Sequence, residues 1–296
     1  MKIILLFALF LQSFLSLAQT EVIPKLCHIT SAFTSFPDTA RAAGHSYDKV
    51  LYTAAAHYSD SSILIAVPPQ LKPGKHVDVV FWFHGWRNNI DSAASYFELI
   101  KQFMASNRNA ILVLPETTKN APDSYGGKLE QKDIFKNLLN DVLNKLKTEK
   151  IIGKRTKPGN IVLAGHSGAF RVMAYILQNG GVEIKQVILF DGLYNQIYKY
   201  TAWIQADASH QFINLYTNKG SGTDKVSEEM MHLLGQKNIP FISAEEKDVN
   251  TPMLKTSQVI FIHSLKEHND VINRPDHNFR LLIENSHTLK PLLRTN

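Results

Sequence analysis

The stretch IVLAGHSGA at residues 161–169 decides how this 296-residue chain is expected to fold. Its first four residues are apolar and Gly165 ends them, so the pattern predicts a buried strand that stops at a sharp turn. Ser167 stands at the apex of that turn. An apolar run with helical spacing follows from Ala169 to Leu177, so the stretch predicts a strand, a turn and a helix in succession.

The residues beside Ser167 suit a strained backbone. A serine at such an apex takes a conformation that requires small neighbours, and Gly165, Gly168 and Ala169 are all small. The first N–H groups of the following helix, at the positive end of its dipole, face any negative charge that develops there. The pattern therefore predicts that Ser167 is a nucleophile. The alternative is a Gly-Ser turn without chemistry.

Apolar runs alternate with helical patterns from residue 77 onward. Strands are predicted at 77–83, 110–114, 161–164, 187–190, 212–216 and 258–262, and helices at 91–104, 131–146, 169–177, 193–205, 225–234 and 277–284. Asp91 is the expected N-cap of the first helix. Strands that alternate with helices form parallel sheets covered on both faces. We expect an α/β protein with a mostly parallel central sheet, preceded by antiparallel pairing of β-rich runs at 49–56 and 62–67.

A second motif, HGWRNN at residues 84–89, follows the first of these central strands. It resembles the HG segment after the third strand of the α/β-hydrolase fold family, and GHSGA resembles that family's G-x-S-x-G nucleophile elbow, with Ala169 in place of the last glycine. The resemblance covers the chain from about residue 49 to its end. It implies a serine hydrolase whose oxyanion hole consists of the backbone N–H groups of Trp86 and Gly168, with His84 holding the loop.

The resemblance also implies a catalytic triad in the chain order serine, acid, histidine. The histidine belongs in the loop after the last strand, where His268 is the expected general base, and His263 and His277 fit that position less well. The acid is Asp191, directly after a predicted strand, or Asp224, in the loop after the next strand. Asp191 is preferred because a residue that emerges directly from a strand is held in place, whereas Asp224 also suits the first turn of a helix.

Residues 1–18 have the pattern of a secretory signal peptide. Lys2 is positively charged, an apolar run extends from Ile3 to Leu17, and small residues lead to Ala18. The run is short for a membrane-spanning helix, which needs about 20 residues. We expect cleavage after Ala18, a single α/β-hydrolase domain over residues 19–296, and a secreted or periplasmic protein with no membrane span after cleavage.

Composition limits the partners and cofactors. The formal net charge of +6 is modest, the dense basic run at 145–157 suits a solvated helix end, and an extracellular destination argues against nucleic acid. The lone cysteine, Cys27, excludes an internal disulfide and is expected to be buried. No histidine pair among the 12 has the spacing of a metal site, so we expect neither a metal nor another cofactor.

The expected activity is hydrolysis of a carboxylic ester in a small-molecule or glycan acyl substrate. A peptidase or amidase with the same triad, an acyltransferase, and a non-catalytic binding protein on the same scaffold remain alternatives. A group of aromatic residues follows Asp191 and is expected to pack in the core rather than to form a sugar platform. Its members are Tyr194, Tyr198, Tyr200 and Trp203.

Overall fold

The computed structural model describes residues 23–219, 222–273 and 275–292. The predicted signal peptide at residues 1–18 lies outside the described residues. None of the helices in these ranges is long and apolar enough to cross a membrane.

The strands and helices follow each other along the chain much as the alternating pattern predicts. The strands are β1 (Lys25–Thr30), β2 (His45–Tyr47), β3 (Val50–Tyr52), β4 (Ser62–Val67), β5 (His76–Phe83), β6 (Ala110–Pro115), β7 (Lys157–His166), β8 (Gln186–Phe190), β9 (Gln211–Thr217), β10 (Ile242–Glu245) and β11 (Val259–Ser264). The α-helices are α1 (Ala54–His57), α2 (Ile90–Tyr96), α3 (Leu99–Ala105), α4 (Ile134–Thr148), α5 (Phe170–Asn179), α6 (Ile197–Ala206), α7 (Thr223–Gln236), α8 (Thr251–Thr256), α9 (Asp270–Asn273) and α10 (Asn278–Glu284).

Nine of these strands form one sheet within the described residues. Its order is β1-β4-β6-β5-β7-β8-β9-β11-β10, and β2 and β3 pair separately as a hairpin. β4 is antiparallel to both β1 and β6, and the pairs from β6 through β10 are parallel. The predicted mostly parallel sheet is confirmed, and so is antiparallel pairing for the run at 62–67, which is β4. The prediction is wrong for the run at 49–56, because that run contains β3, which pairs with β2 outside the main sheet, and most of α1.

The sheet is buried on both faces. On β5, Val79 and Phe81 belong to one apolar cluster, whereas Val80 and Trp82 belong to the other, because successive side chains of a strand point to opposite faces. Helices α4, α5 and α6 cover the first face, and α2, α3 and α10 cover the second. Strands covered on both faces must be apolar nearly throughout, which is why the central strands can be predicted from the sequence.

The helix predicted over residues 91–104 is in fact two helices, and its N-cap is Asn89 rather than Asp91. The Asn89 side chain accepts a hydrogen bond from the backbone N–H three residues further on, at 3.0 Å, as N-cap residues do. Glu98 has a φ of 50° and separates α2 from α3. Residues two apart point in different directions on a continuous helix, and the break allows both Phe97 and Leu99 to enter the same core cluster.

The stretch before residue 46, where the sequence analysis places no strand or helix, contains β1. Its sequence KLCHIT places only Cys27 in the core, and its other side chains are exposed or partly exposed. An edge strand with a polar outer face lacks the apolar run of a central strand, so the periodicity did not reveal it. The burial predicted for Cys27 is confirmed.

The connections of the sheet change direction at its centre, between β5 and β7. The chain leaves these neighbouring strands toward opposite faces, because α2 packs on one face after β5 and α5 packs on the other after β7. Such a switch point opens a crevice at the carboxyl ends of the strands, where α/β proteins bind ligands. The loops that begin at His84 and at Ser167 lie at this crevice.

Candidate active site

Ser167 begins a single 3₁₀ turn, Ser167–Ala169, that joins β7 to α5. Its φ is 54°, in the left-handed region that residues other than glycine rarely adopt. Close packing explains why small residues surround it, since a Cβ added to Gly165 would lie 2.5 Å from the Met173 sulfur, and one added to Gly192 would lie 3.0 Å from the Ser167 carbonyl oxygen. The backbone thus places the serine on a tight turn at the carboxyl edge of the sheet.

Asp191 and His268 meet beside this turn. Asp191 directly follows β8 and is fully buried, and its Oδ2 lies 2.5 Å from Nδ1 of His268, in the loop after β11. Its Oδ1 accepts hydrogen bonds from the Thr217 N–H at 3.1 Å and from the Thr223 hydroxyl. The carboxylate is therefore fixed on both sides. It favours the His268 tautomer with the proton on Nδ1, which leaves Nε2 as the acceptor.

His166 connects the His268 loop to the serine turn. Its Nε2–H donates to the His268 carbonyl oxygen at 3.0 Å, and the two rings lie 4.4 Å apart between centroids. Burial lowers the pKa of His166 to about 3, and the nearby His268 ring acts in the same direction. His166 is therefore neutral at physiological pH. Sequence reasoning missed this contact, because the second position of a G-x-S-x-A motif carries no signal of what it contacts.

No hydrogen bond joins the Ser167 hydroxyl to His268 among the described residues. Hydrogen bonds between a nucleophile and its base are commonly long in proteins without substrate and shorten when substrate binds. The proximity of the two residues rests on the contact between the His166 and His268 rings and on the packing of Gly192 against the Ser167 backbone.

The loop after β5 lies against the same serine. A Cβ added to Gly85 would lie 2.6 Å from the Ser167 Cβ, and one added to Gly168 would lie 2.5 Å from Cδ1 of Trp86. The Gly168 N–H stands in the first turn of a helical segment, where donors have no intrahelical acceptor. Within the part of the chain that the structure describes, no residue accepts a hydrogen bond from the Trp86 N–H. Both N–H groups are thus available to an incoming oxygen.

His84 holds this loop in place, as the resemblance to the α/β-hydrolase family implies. Its Nδ1 donates to the Gly85 carbonyl oxygen at 2.8 Å, and its Nε2 lies 2.5 Å from the Glu116 carboxylate. Glu116 also accepts hydrogen bonds from the Ile90 and Thr117 N–H groups, each at 3.2 Å. Sequence reasoning missed Glu116. The available signal was its position, since it is an acid directly after β6 at the same edge of the sheet.

The alternative triad residues lie elsewhere. Asp224 is in the first turn of α7. His263 lies 3.0 Å from the Glu245 carboxylate, and Nδ1 of His277 lies 4.0 Å from that of Glu98. Among the described residues the structure therefore brings Asp191, and not Asp224, into contact with His268.

An exposed apolar wall borders the crevice. Trp86 is 41% exposed, and its indole N–H donates to the Ser124 hydroxyl at 2.7 Å. Its ring meets the Tyr47 ring edge to face at 5.3 Å. Tyr47 belongs to the β2–β3 hairpin, and that hairpin also exposes Val50 and Leu51. The wall therefore offers apolar and aromatic surface beside the serine.

The aromatic residues after Asp191 divide between core and surface. Tyr200 is buried and donates to the Phe170 carbonyl oxygen at 2.6 Å, and the Trp203 indole N–H donates to that of Ile184 at 3.2 Å. The packing prediction is confirmed for these two residues. It is wrong for Tyr198, which is 70% exposed, because that side chain lies on the solvent face of α6.

One cluster in the described ranges has metal-ligating atoms within mutual reach: Glu183, Asp207 and His210. The Lys185 ammonium group contacts Glu183 and lies 3.6 Å from Asp207, and His210 Nδ1 donates to the Trp203 carbonyl oxygen at 2.7 Å. The Lys185 cation thus already contacts one carboxylate of the cluster and lies near the other. The cluster precedes β8 and β9, at the opposite edge of the sheet from Ser167.

The chain is similar to known proteins in structure, whereas the comparisons of sequence found no match. No model of a protein family matches the chain, and no curated protein matches it. Among solved structures, a ferulic acid esterase is similar with a TM-score of 0.52 and 10% identity, over 90% of this chain and 99% of that one. A mutant of the feruloyl esterase module from Clostridium thermocellum, complexed with sinapinate, has a TM-score of 0.54 and 9% identity, over 94% of this chain and 92% of that one.

Carboxyl esterase 2 from the mycorrhizal fungus Tuber melanosporum is also similar, with a TM-score of 0.51 and 12% identity, over 93% of this chain and 90% of that one. At these identities the likeness shows the fold. The chain has the α/β-hydrolase fold, with a mostly parallel central sheet and helices on both faces, as its sequence predicts.

Proposed function

We propose that this protein is a serine hydrolase that cleaves carboxylic esters through an acyl-enzyme, with Ser167 as nucleophile, His268 as general base and Asp191 as the acid. The observation that carries the proposal is the Asp191–His268 pair at 2.5 Å, beside a serine with a φ of 54° on the turn after β7. A serine on a strained turn, a histidine and a buried carboxylate that orients it are the groups that nucleophilic acyl transfer requires.

In the proposed reaction, His268 Nε2 takes the hydroxyl proton while Ser167 Oγ attacks the acyl carbonyl carbon. Asp191 keeps the proton on Nδ1 and stabilises the imidazolium. The N–H groups of Trp86 and Gly168 donate to the oxyanion, where each such donor is worth about a hundredfold to a thousandfold in rate. His268 then protonates the leaving alcohol, and water releases the acyl group and regenerates the serine.

Two observations favour esters over amides and a small-molecule or glycan acyl substrate. The similar structures named above are esterases by their printed names, two of them for feruloyl or ferulic acid groups. The exposed wall of Trp86 and Tyr47 beside the serine suits an apolar or aromatic group on the substrate. The chemistry uses side chains and backbone N–H groups alone, so the proposal includes no metal or other cofactor.

We also propose that the protein is exported by way of residues 1–18 and acts as a secreted or periplasmic single domain over residues 19–296. The charged start, apolar run and small residues before Gln19 support this. Expression of the full chain with its first 18 residues, followed by intact mass analysis of the exported protein, tests it. The expected N-terminus is Gln19, and retention of the protein in the cytoplasm would contradict the proposal.

Turnover of 4-nitrophenyl acetate beside the matching 4-nitroanilide tests the proposed activity. The mature protein is expected to hydrolyse the ester faster than the anilide. Ser167→Ala is expected to reduce ester turnover to the background rate, and the control His263→Ala, which alters the histidine paired with Glu245, is expected to leave it unchanged. Faster turnover of the anilide would overturn the ester preference. A folded protein that turns over neither compound would overturn the hydrolase assignment.

A further inference from the structure

A second concave surface lies at the other end of the sheet from Ser167. It is a pocket of about 540 Å³ near the amino ends of β5 and β6, and it is lined by Lys72, Gly74, Lys75, His76, Asp78, Asn109, Lys290 and Pro291. β5 has eight residues, and at about 3.3 Å per residue the pocket lies roughly 25 Å from the loop that carries Trp86. The two sites are thus separate surfaces.

Fixed backbone contacts hold the pocket walls together. The Asn109 N–H donates to the Lys290 carbonyl oxygen at 2.8 Å, and the Asn109 side-chain oxygen accepts a hydrogen bond from the Lys72 N–H at 2.8 Å. Three segments that are distant in sequence therefore meet at one place. We call the basic residues of this wall the basic pocket; they are Lys72, Lys75, His76 and Lys290.

A basic rim continues from the pocket onto the next loop. It consists of Lys154, Arg155 and Lys157, all of which are exposed. The Lys157 N–H donates to the Lys75 carbonyl oxygen at 2.9 Å, and the Thr156 hydroxyl donates to that of Gly74 at 3.2 Å. The rim therefore borders the pocket directly, so part of the dense basic run at residues 145–157 belongs to a larger cationic surface.

The positive charges of this surface are not neutralised by close ion pairs among the residues that the structure describes. None of the lysines and arginines in the basic pocket and rim forms an ion pair with a described residue. The acid in the pocket lining, Asp78, is 8% exposed and accepts hydrogen bonds from the Asn160 N–H, at 2.8 Å, and from the Lys290 backbone N–H. Burial raises its pKa, and the nearby Lys290 charge acts in the opposite direction. One buried acid therefore faces three lysines of the pocket. A concave surface with several unpaired charges of one sign concentrates counter-ions of the other sign.

We propose that the basic pocket and rim bind an acidic polysaccharide through the carboxylates of its successive sugar residues. Of the large hydrophobic side chains that the described residues expose, none lines the pocket. Insertion into a membrane surface requires such side chains, and binding of single-stranded nucleic acid requires aromatic rings for stacking. A flexible chain of hydrated anions needs neither. Bound there, the polymer leaves the crevice at Ser167 open.

Binding of the mature protein to immobilised polygalacturonate tests the proposal, with neutral dextran, vesicles of phosphatidylglycerol and single-stranded DNA as the comparison surfaces. The test variant carries Lys72→Glu, Lys75→Glu and Lys290→Glu. The matched control carries three reversals at exposed lysines of the opposite edge, Lys132→Glu, Lys136→Glu and Lys225→Glu, so that both variants have the same net charge. Circular dichroism and urea unfolding of each variant report that it is folded.

The wild-type protein is expected to bind polygalacturonate but not dextran, and to bind it less tightly as salt is raised. The pocket variant is expected to lose about a hundredfold in affinity, because each lysine near an anionic surface contributes about fivefold. The control variant is expected to stay within about threefold of wild type. Equal losses in both variants, no binding of polygalacturonate at low salt, or tighter binding to the vesicles or the DNA would each overturn the proposal. Binding requires no hydrolysis, so it does not depend on the function proposed for Ser167.

Discussion

Replacement of Asp191 by asparagine exchanges one carboxylate oxygen for an amide NH₂ of nearly the same shape. The two Asp191 oxygens accept from His268 Nδ1 on one side and from the Thr217 N–H on the other. If the NH₂ group faces His268, Nδ1 must become the acceptor, so Nε2 carries the proton and cannot take one from Ser167. If it faces Thr217, two donors oppose each other in a fully buried site.

Both arrangements have a calculable effect. The wrong histidine tautomer in a serine triad lowers kcat about ten-thousandfold, which corresponds to about 5.4 kcal/mol of transition-state stabilisation. A buried donor left without an acceptor lowers the free energy of unfolding by about 1–3 kcal/mol. We therefore expect Asp191→Asn to lose nearly all activity while it remains folded.

The assay is kcat and KM for 4-nitrophenyl acetate, with urea unfolding to report stability. Asp224→Asn is the matched control, because Asp224 is the other acid that the sequence offers and the structure places it in the first turn of α7. Its activity is expected to equal that of wild type. The reasoning is refuted if Asp191→Asn keeps more than about a tenth of the activity, or if Asp224→Asn loses as much as Asp191→Asn.

Three further predictions concern the surroundings of the triad. Gly85→Ala is expected to lower kcat/KM about a hundredfold, because its Cβ would lie 2.6 Å from the Ser167 Cβ and displace the nucleophile; unchanged kinetics would show that the contact does not matter. His166 has a native pKa of about 3 against 6.5 for an ordinary histidine, so the unfolded state binds more protons between these values and stability falls as pH falls through this range. This group lowers the free energy of unfolding by about 1.4 kcal/mol for each pH unit between about pH 5.5 and 4. In urea unfolding, a plot of that free energy against pH is expected to be shallower by this amount for His166→Gln than for wild type. Parallel plots for the two proteins would contradict the prediction. Glu116→Ala removes the acceptor for His84 and for two backbone N–H groups in a buried site, so we expect urea unfolding to show a loss of about 3 kcal/mol or more; a loss below about 1 kcal/mol would refute this.

The local parts of the site were predictable because neighbouring residues determine them. The apolar strand, the small residues and the helix pattern around Ser167 lie within about 15 residues of one another, and steric limits on that turn select the same small side chains in any chain. The positions of Trp86 and Gly168 follow from motifs at the ends of strands for the same reason. Buried central strands are apolar nearly throughout, so β5 and β6 were also predictable.

The contacts between distant segments were not predictable from local patterns. Asp191 and His268 are 77 residues apart, and their meeting depends on the order of β8, β9 and β11 in the sheet. The second oxygen of Asp191 is held by the Thr217 N–H and the Thr223 hydroxyl, and threonines at a strand end and a helix start carry no sequence signal of that role. The resemblance to a family supplied the chain order of the triad, and only the structure distinguished Asp191 from Asp224 by contact.

Labelling with a fluorophosphonate tests most directly whether Ser167 is an activated nucleophile, because these compounds phosphonylate such serines and spare ordinary ones. The mature protein is expected to gain the mass of one phosphonyl group, located on Ser167 by peptide mapping. Ser167→Ala and His268→Ala are expected not to react, whereas Ser95→Ala, a change at an exposed serine of α2, is expected to react like wild type. A folded protein that remains unlabelled, or that is labelled equally after Ser167→Ala, would contradict the account.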